Sequence, residues 1–489
     1  MTSNTSALLR ALDDAVKTQA DEQPRLIGED GQFTLREVSE KSRQLAGVLA
    51  ARGVKPGDRI AHLGKNSAAM IVLLFACARV GCLLMPLNWR LSGKEWAWMI
   101  EDASPRLLVT MHGFEDKASA LPVAGQKLSD LMAETAPDFD GNEGTDADDL
   151  LLVYTSGSTG RPKGAVHSQK AVWANVLLSD AMHDYNPQGQ QDRVLTILPM
   201  FHVGGLAIQS LSALLHGAQV QVMTAFDPVE MARLHETYRP TLTVHVPATL
   251  QAMLALPEWD RLDLSDMRAV AIGSTDVPIE LIAALRDRNI PALQIYGATE
   301  SGPISIFQST AMAFDAPGSI GKVPAGVEIR LRGANGAEVG LDEPGEILIK
   351  ADNLANRYWP DQALTDAEGF WPSGDVASVD AQGVYWFQDR LKNVIISGGE
   401  NIYPAEIERV LRSIEHVSDC CVVGVESPKW GQTPVAVIEG PAFPLDGLLA
   451  RLSDELARFK HPSRIEFVPA LPRNAMGKIV REDVVGLLK

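Results

Sequence analysis

Four cysteines serve 489 residues, too few and too poorly spaced for a disulfide framework. Cys77 and Cys82 lie in an apolar stretch, Cys420 and Cys421 are neighbours in VSDCCVVGV, and none stands at zinc-ligand spacing from a histidine. They read as small core residues in a reducing compartment. Basic charge is short as well. The 44 Lys and Arg face 62 Asp and Glu, a net charge of −18, so no basic footprint exists for nucleic acid. Anionic ligands must be drawn in locally by single lysines, arginines or a metal. No apolar run reaches membrane-spanning length: Met70 to Leu87 is interrupted by Arg79, Gly81 and Pro86, and a buried helix and strand are expected there. The N-terminus carries no charged-then-apolar leader pattern, so a cytoplasmic location is expected.

What remains is an ordinary globular composition, 46% hydrophobic and 22% charged, on a chain too long for one comfortable core. Arg36 to Arg52 has helical apolar spacing, with Val38, Leu45 and Leu49 on one face and Gly53 as a stop. Met70 to Val80 predicts a second helix. TLTVHV (241–246), AVAIG (269–273) and ALQIYG (292–297) are short β-rich runs, each followed by turn residues and helical spacing. Such alternation predicts an α/β fold of mainly parallel sheets covered by helices. From about 320 to 390 the closely spaced strands VEIRLRG, GEILIK and GVYWFQD predict a small β subdomain. The large domain is therefore expected over 1–390. A small α+β domain follows over 391–489, including CCVVGV, PVAVIEG and RIEFV strands and a helix from Leu448 to Phe459.

YTSGSTGRPKGAV (154–166) is the most informative stretch. Gly157, Gly160 and Gly164 let backbone N–H groups approach a polyphosphate closely. Hydroxyls of Thr155, Ser156, Ser158 and Thr159 can donate to phosphate oxygens, and Lys163 adds positive charge. The spacing differs from the common G-x-x-x-x-G-K-[ST] loop. YGATES (296–301) leaves a strand end, where open α/β sheets bind ligands. Tyr296 can stack on a purine, and Glu300 offers a carboxylate for Mg²⁺. SGD (373–375) sets Asp375 in a turn suited to ribose hydroxyls, Arg390 follows, and PRNAMGK ends in Lys478. Singly each is weak, since an Asp in a Gly turn is commonly just a turn; their order carries the argument.

With these motifs in place the chain resembles the adenylate-forming superfamily, which includes acyl- and aryl-CoA ligases, non-ribosomal adenylation domains and beetle luciferase. The resemblance runs from FTLREVSEKSRQLAGVLAARGVKPGDRIA to the Lys478 loop. It implies that Thr155, Ser156, Gly157, Ser158, Thr159, Gly160 and Lys163 shield and move pyrophosphate. Gln294, Ile295, Tyr296, Gly297, Ala298 and Thr299 would bind adenine and the α-phosphate, with Gly273, Ser274 and Thr275 on the other face of the base. Glu300 and Thr155 would hold Mg²⁺, and Asp375 with Arg390 the ribose. Lys478 would bridge the carboxylate and α-phosphate. Lys392 matches the hinge of a mobile C-terminal lid. Rotation of the lid would bring Gly398, Gly399, Trp430, Phe459 and Lys460 to CoA, although His461 stands where aryl-CoA ligases carry arginine.

Phe201, His202, Val203 and Gly204 in PMFHVGG, with Gly297 and Pro303, would form the acyl pocket; His202 could equally be structural. Amino-acid-activating relatives carry an aspartate at this wall to pair an ammonium, whereas this chain has Phe-His. The expected reaction is ATP- and Mg²⁺-dependent adenylation of an aromatic acid of benzoate, cinnamate, coumarate or ferulate type, followed by transfer to CoA. Medium-chain or o-succinylbenzoate activation is the runner-up. Amino-acid adenylation or a silent nucleotide-binding protein stand further back. The text GSTDVP departs from the commoner glycine-glycine-alanine-proline, and Asp276 there reads as a solvated loop residue or, as the second reading, a polar feature near the pocket. Expected partners are the small carboxylic acid and, at most, a second copy of the chain.

Overall fold

A computed structural model describes residues 5–18, 23–137, 139, 141, 143–155, 162–274, 277–398, 400–473 and 478–488. The chain divides into two compact units, Met1–Ile329 with Ile349–Trp371, and Arg330–Leu348 with Pro372–Lys489.

Two eight-stranded sheets frame the first unit. In one, Ala292–Tyr296, Ala269–Gly273, Leu242–His245, Arg193–Thr196, Gln219–Val222 and Leu26–Gly28 are neighbours in that order, all parallel. Short antiparallel strands, Ile306–Phe307 and Gly31–Phe33, close its two edges. The other has a parallel centre of Asp149–Thr155, Leu83–Leu87, Arg59–Leu63, Leu107–Thr110 and Gly125–Lys127. Lys163–Ser168 and Arg357–Tyr358 extend it in antiparallel fashion. Parallel strands need helical crossovers, and the expected α/β architecture is what the alternating pattern produces.

The helix Ala68–Val80 has all thirteen residues buried and shares one apolar core with strands of both sheets. Ser67 caps it by accepting from the Met70 N–H. Arg79, which interrupts the apolar run, is itself 0% exposed. Its guanidinium pairs with Glu143 and donates to Ser42 Oγ (3.0 Å) and Ser39 Oγ (3.1 Å), so the buried charge is satisfied. Leu35–Ala51 opens with a capping box between Thr34 and Glu37.

The second unit holds most of a four-stranded sheet, ordered Val327–Arg332, Gly345–Ala351, Trp371–Val379, Tyr385–Arg390. It also holds a five-stranded sheet built on the long antiparallel pair Asp419–Ser427 and Gly431–Glu439. Cys420 and Cys421 are buried in the first strand of that pair. The helix expected over 448–459 is Asp446–Glu455. Leu456 leaves it in an extended conformation to enter the local core, and a separate 3₁₀ turn covers Arg458–Lys460.

Candidate active site

Adjacent parallel strands end together at Gly273 and Ile295, which are register partners. The loops leaving these carboxyl ends lie where open α/β sheets take ligands. After Gly273, Ser274 has φ +79°, a left-handed backbone that costs a non-glycine residue about 1–3 kcal/mol. Thr275 and Asp276 lie outside the described residues. Gln294 is 5% exposed, and its buried Nε2 has no hydrogen-bond partner among the described residues. Tyr296 is mostly buried.

The loop from Gly297 is tightly wound. A Cβ at Gly297 would lie 2.0 Å from the Pro303 carbonyl oxygen, so only glycine fits. Ala298 N–H donates to Ser301 Oγ (2.9 Å). Glu300 accepts from the Tyr358 hydroxyl through Oε1 (3.0 Å), and its carbonyl accepts from Ala355 N–H (2.8 Å).

Thr155 ends one strand of an antiparallel hairpin and Lys163 begins the other; they are register partners, and Thr155 Oγ1 donates to the Lys163 carbonyl at 3.3 Å. Ser156, Gly157, Ser158, Thr159 and Gly160 fall outside the described residues. A paired antiparallel strand on the far side is a different scaffold from the strand–helix of the common phosphate loop. Lys163 Nζ stands 5.1 Å from the centroid of the Tyr358 ring.

Phe201, His202, Val203 and Gly204, the expected acyl wall, lie on a loop held by buried Asn66. Asn66 donates to the Leu198 and Met223 carbonyls (3.0 Å each) and accepts from Met200 N–H (2.8 Å). The Phe201 and His202 rings are 4.5 Å apart. Arg90 lies over Trp89 (4.6 Å) and Phe201 (5.8 Å), and burial pushes its guanidinium below the ordinary arginine value. Gly204–Ser210 then forms a π-helix, a form frequent at functional sites. Side chains of the neighbouring helix Gln169–His183 satisfy its carbonyls: Asn175 donates to Ala207 (3.1 Å) and Ser179 to Ile208 (2.7 Å). Gly205 is needed because a Cβ would meet two carbonyl oxygens at 2.5 Å, whereas one at Gly204 would meet nothing within 4 Å.

Within the second unit, Arg390 Nε is 3.4 Å from Asp375 Oδ1 across paired strands. Lys478 lies in the field of both. Burial lowers its pKa first, Arg390 lowers it further, and Asp375 opposes them. Lys392 is exposed on the 3₁₀ turn Leu391–Asn393. Buried Asp389 fastens that turn by accepting from Asn393 Nδ2 (2.9 Å) and from Ala405 N–H (2.6 Å). Gly398 donates to the Trp430 carbonyl (2.8 Å), and Trp430 is 48% exposed; Gly399 is outside the described residues. Phe459 is also exposed. Lys460 forms a bidentate pair with Glu406 (2.7 Å to each oxygen), and His461 Nε2 meets the Leu456 carbonyl at 3.0 Å.

Tyr358, Asn66 and Asp389 are residues that sequence reading passes over. Tyr358 and Asn66 act on side chains or backbone far away in the chain, whereas Asp389 acts within its own neighbourhood, on Asn393 and Ala405.

The chain is 39% identical over 464 residues to indoleacetate–CoA ligase of Aromatoleum aromaticum, covering 90% of each. It is 37% identical to feruloyl-CoA synthase of an Amycolatopsis species, covering 92% of this chain and 93% of that one. Among solved structures, o-succinylbenzoate CoA synthetase from Bacillus subtilis in complex with its acyl-adenylate intermediate superposes with a TM-score of 0.86 at 29% identity, over 97% of both chains. The model for AMP-binding enzymes matches residues 12–359 and that for their C-terminal domain matches 406–478, and the chain belongs to the AMP-binding enzyme family.

Proposed function

We propose that this chain is an AMP-forming acid–thiol ligase. It joins a carboxylic acid to AMP from ATP, with release of pyrophosphate, and passes the acyl group to CoA. The observation that supports this reading is the meeting of the Glu300 loop with the Thr155–Lys163 hairpin at Tyr358, whose hydroxyl donates to the Glu300 carboxylate and whose ring lies near the Lys163 ammonium. These hard oxygen donors, Glu300 carboxylate and Thr155 hydroxyl, suit Mg²⁺. When bound, the ion supplies charge neutralisation on the phosphates.

A carboxylate is a poor electrophile, and attachment to AMP gives it a good leaving group. Lys163 and the 155–160 loop cradle the leaving pyrophosphate. Gln294 to Thr299 and Gly273 to Thr275 enclose the adenine. Asp375 and Arg390 take the ribose, and Lys478 stabilises the charge gathering on the α-phosphate. A turn of the C-terminal domain about Lys392 then withdraws Lys478 and brings Gly398, Gly399, Trp430, Phe459 and Lys460 to the CoA thiol, a gating step. Lys460 must exchange Glu406 for a CoA phosphate to take part.

The acid is aromatic. Support comes from the relatives named for indoleacetate and ferulate. The Phe201–Gly204 wall also carries no carboxylate to hold an ammonium. An o-succinylbenzoate-type acid is the second reading, favoured by the Bacillus structure. Glu300, Asp375, Arg390 and Lys478 are all present in the sequence, which argues against a silent nucleotide binder. No described helix is long and apolar enough to cross a membrane, and four buried thiols suit a reducing cytoplasm. ATP–pyrophosphate exchange with benzoates, cinnamates, indole acids, fatty acids and amino acids, followed by CoA thioester detection, tests the assignment. Exchange with amino acids alone, or with no acid, overturns it.

A further inference from the structure

Between the two halves of the proposed ATP site runs a short segment, 353–359, that none of the motifs includes. Asn353, 1% exposed, donates through Nδ2 to the carbonyls of Ser301 (2.6 Å) and Ile304 (2.7 Å). Ala355 N–H donates to the Glu300 carbonyl (2.8 Å). At the very next residue the same chain changes partner. Asn356 N–H donates to Val166 and Trp359 N–H to Gly164 (2.7 Å each), with Tyr358 paired to Ala165. One segment thus ties the loop carrying Glu300 to the hairpin carrying Thr155 and Lys163.

Tyr358 repeats the junction with its side chain. The hydroxyl donates to Glu300 Oε1 at 3.0 Å, and the ring lies 5.1 Å from Lys163 Nζ. We infer that Tyr358 is a positioning residue, which fixes the Glu300 carboxylate for the metal with its hydroxyl and steadies the pyrophosphate lysine, Lys163, with its ring. This rests on the ligase reading and adds to it the device that holds the metal and pyrophosphate ends of the site in register.

A phenol suits both tasks. Its hydroxyl donates one hydrogen bond to the Glu300 carboxylate without bringing a charge of its own. A cation in its place would cancel the carboxylate charge that attracts Mg²⁺. An aromatic face attracts an ammonium without engaging it in the salt bridge a carboxylate would form, which would compete with phosphate for Lys163.

Tyr358→Phe and Tyr358→Leu in the full chain separate the two roles. Binding of Mn²⁺ to the enzyme with ATP is followed by electron paramagnetic resonance, alongside the Mg²⁺ and pyrophosphate dependence of exchange and the Tm. Tyr358→Phe is expected to weaken Mn²⁺ half-saturation about tenfold, as loss of a hydrogen bond to a charged group does, with unchanged Tm and unchanged pyrophosphate KM. Tyr358→Leu loses the same metal affinity and raises the pyrophosphate KM as well. Wild-type exchange combined with wild-type Mn²⁺ affinity in Tyr358→Phe overturns the inference and leaves the ligase reading standing. So does a parallel loss of metal and pyrophosphate affinity in Tyr358→Phe accompanied by a lower Tm, the mark of a purely structural role. Absence of exchange by the wild type with every acid sinks the ligase reading and this inference with it.

Discussion

Asp375 and Arg390 face each other as register partners on antiparallel strands, the guanidinium Nε 3.4 Å from the carboxylate. In the proposed site the pair does more than hold a ribose, because Lys478 lies in its field. Asp375 is the group that offsets the lowering of the Lys478 pKa by burial and by Arg390. Asp375→Asn is therefore expected to act twice. Loss of charged hydrogen bonds to two hydroxyls raises the KM for ATP about tenfold to a hundredfold. The Lys478 pKa also falls further. Since adenylation needs protonated Lys478, activity declines as pH rises through that pKa, and the alkaline limb of kcat/KM moves to lower pH. A profile that keeps its limb while KM rises separates Asp375 from Lys478.

Lys478→Ala tests the division of labour between the half-reactions. Removal of one preorganised charge from a transition state slows a reaction by about 10²- to 10³-fold. Pyrophosphate exchange is expected to fall by that factor, while supplied acyl-adenylate is still converted to thioester, because the proposed second step does not use Lys478. Equal loss of both half-reactions contradicts the assignment.

Local pattern made much of this fold legible. AVAIG forms a strand over the very residues 269–273 that its composition marks. The helix expected over 36–52 spans Leu35–Ala51, its start set by the Thr34 capping box. The overrun at 448–459 has a tertiary cause: Leu456 belongs to the local core, and its burial outweighs helical continuation. Tyr358 was beyond reach for a related reason. Its hydroxyl meets Glu300 across 58 positions of chain, and no periodicity encodes such a partner. The left-handed backbone at Ser274 is equally silent in the sequence, since glycine, not serine, is the usual sign of it.

Neighbouring glycines in PMFHVGG should respond in opposite ways. At Gly205 a Cβ collides with the Leu198 and Pro199 carbonyls, so Gly205→Ala is expected to destabilise the domain by about 1–3 kcal/mol, as overpacking does. Gly204→Ala meets open space and gains helix propensity of about 0.5–1 kcal/mol, leaving the Tm unchanged or higher. Its methyl group stands next to the proposed acyl wall. The KM for bulky acids should rise more than that for small ones, a comparison that pyrophosphate-release assays across substituted benzoates make directly.

Acid sensitivity follows from the buried imidazoles. Burial pushes His62, His167 and His183 down to about 4, and His245 to about 3. Between those values and the ordinary 6.5 the unfolded chain binds protons that the folded chain refuses, so stability falls as pH drops through this window. His62 isolates the effect: it is 1% exposed on a central strand, desolvation is the cause of its shift, and its Nε2 has no hydrogen-bond partner among the described residues. A group held 2.5 pH units below its unfolded value forfeits about 3 kcal/mol by pH 4. His62→Leu should therefore be near neutral at pH 8 and flatten the fall in Tm between pH 6.5 and 4. Calorimetric scans in buffers of different ionisation heat should then record one proton fewer taken up on unfolding near pH 5, and an unchanged proton count would show that His62 titrates normally in the folded protein.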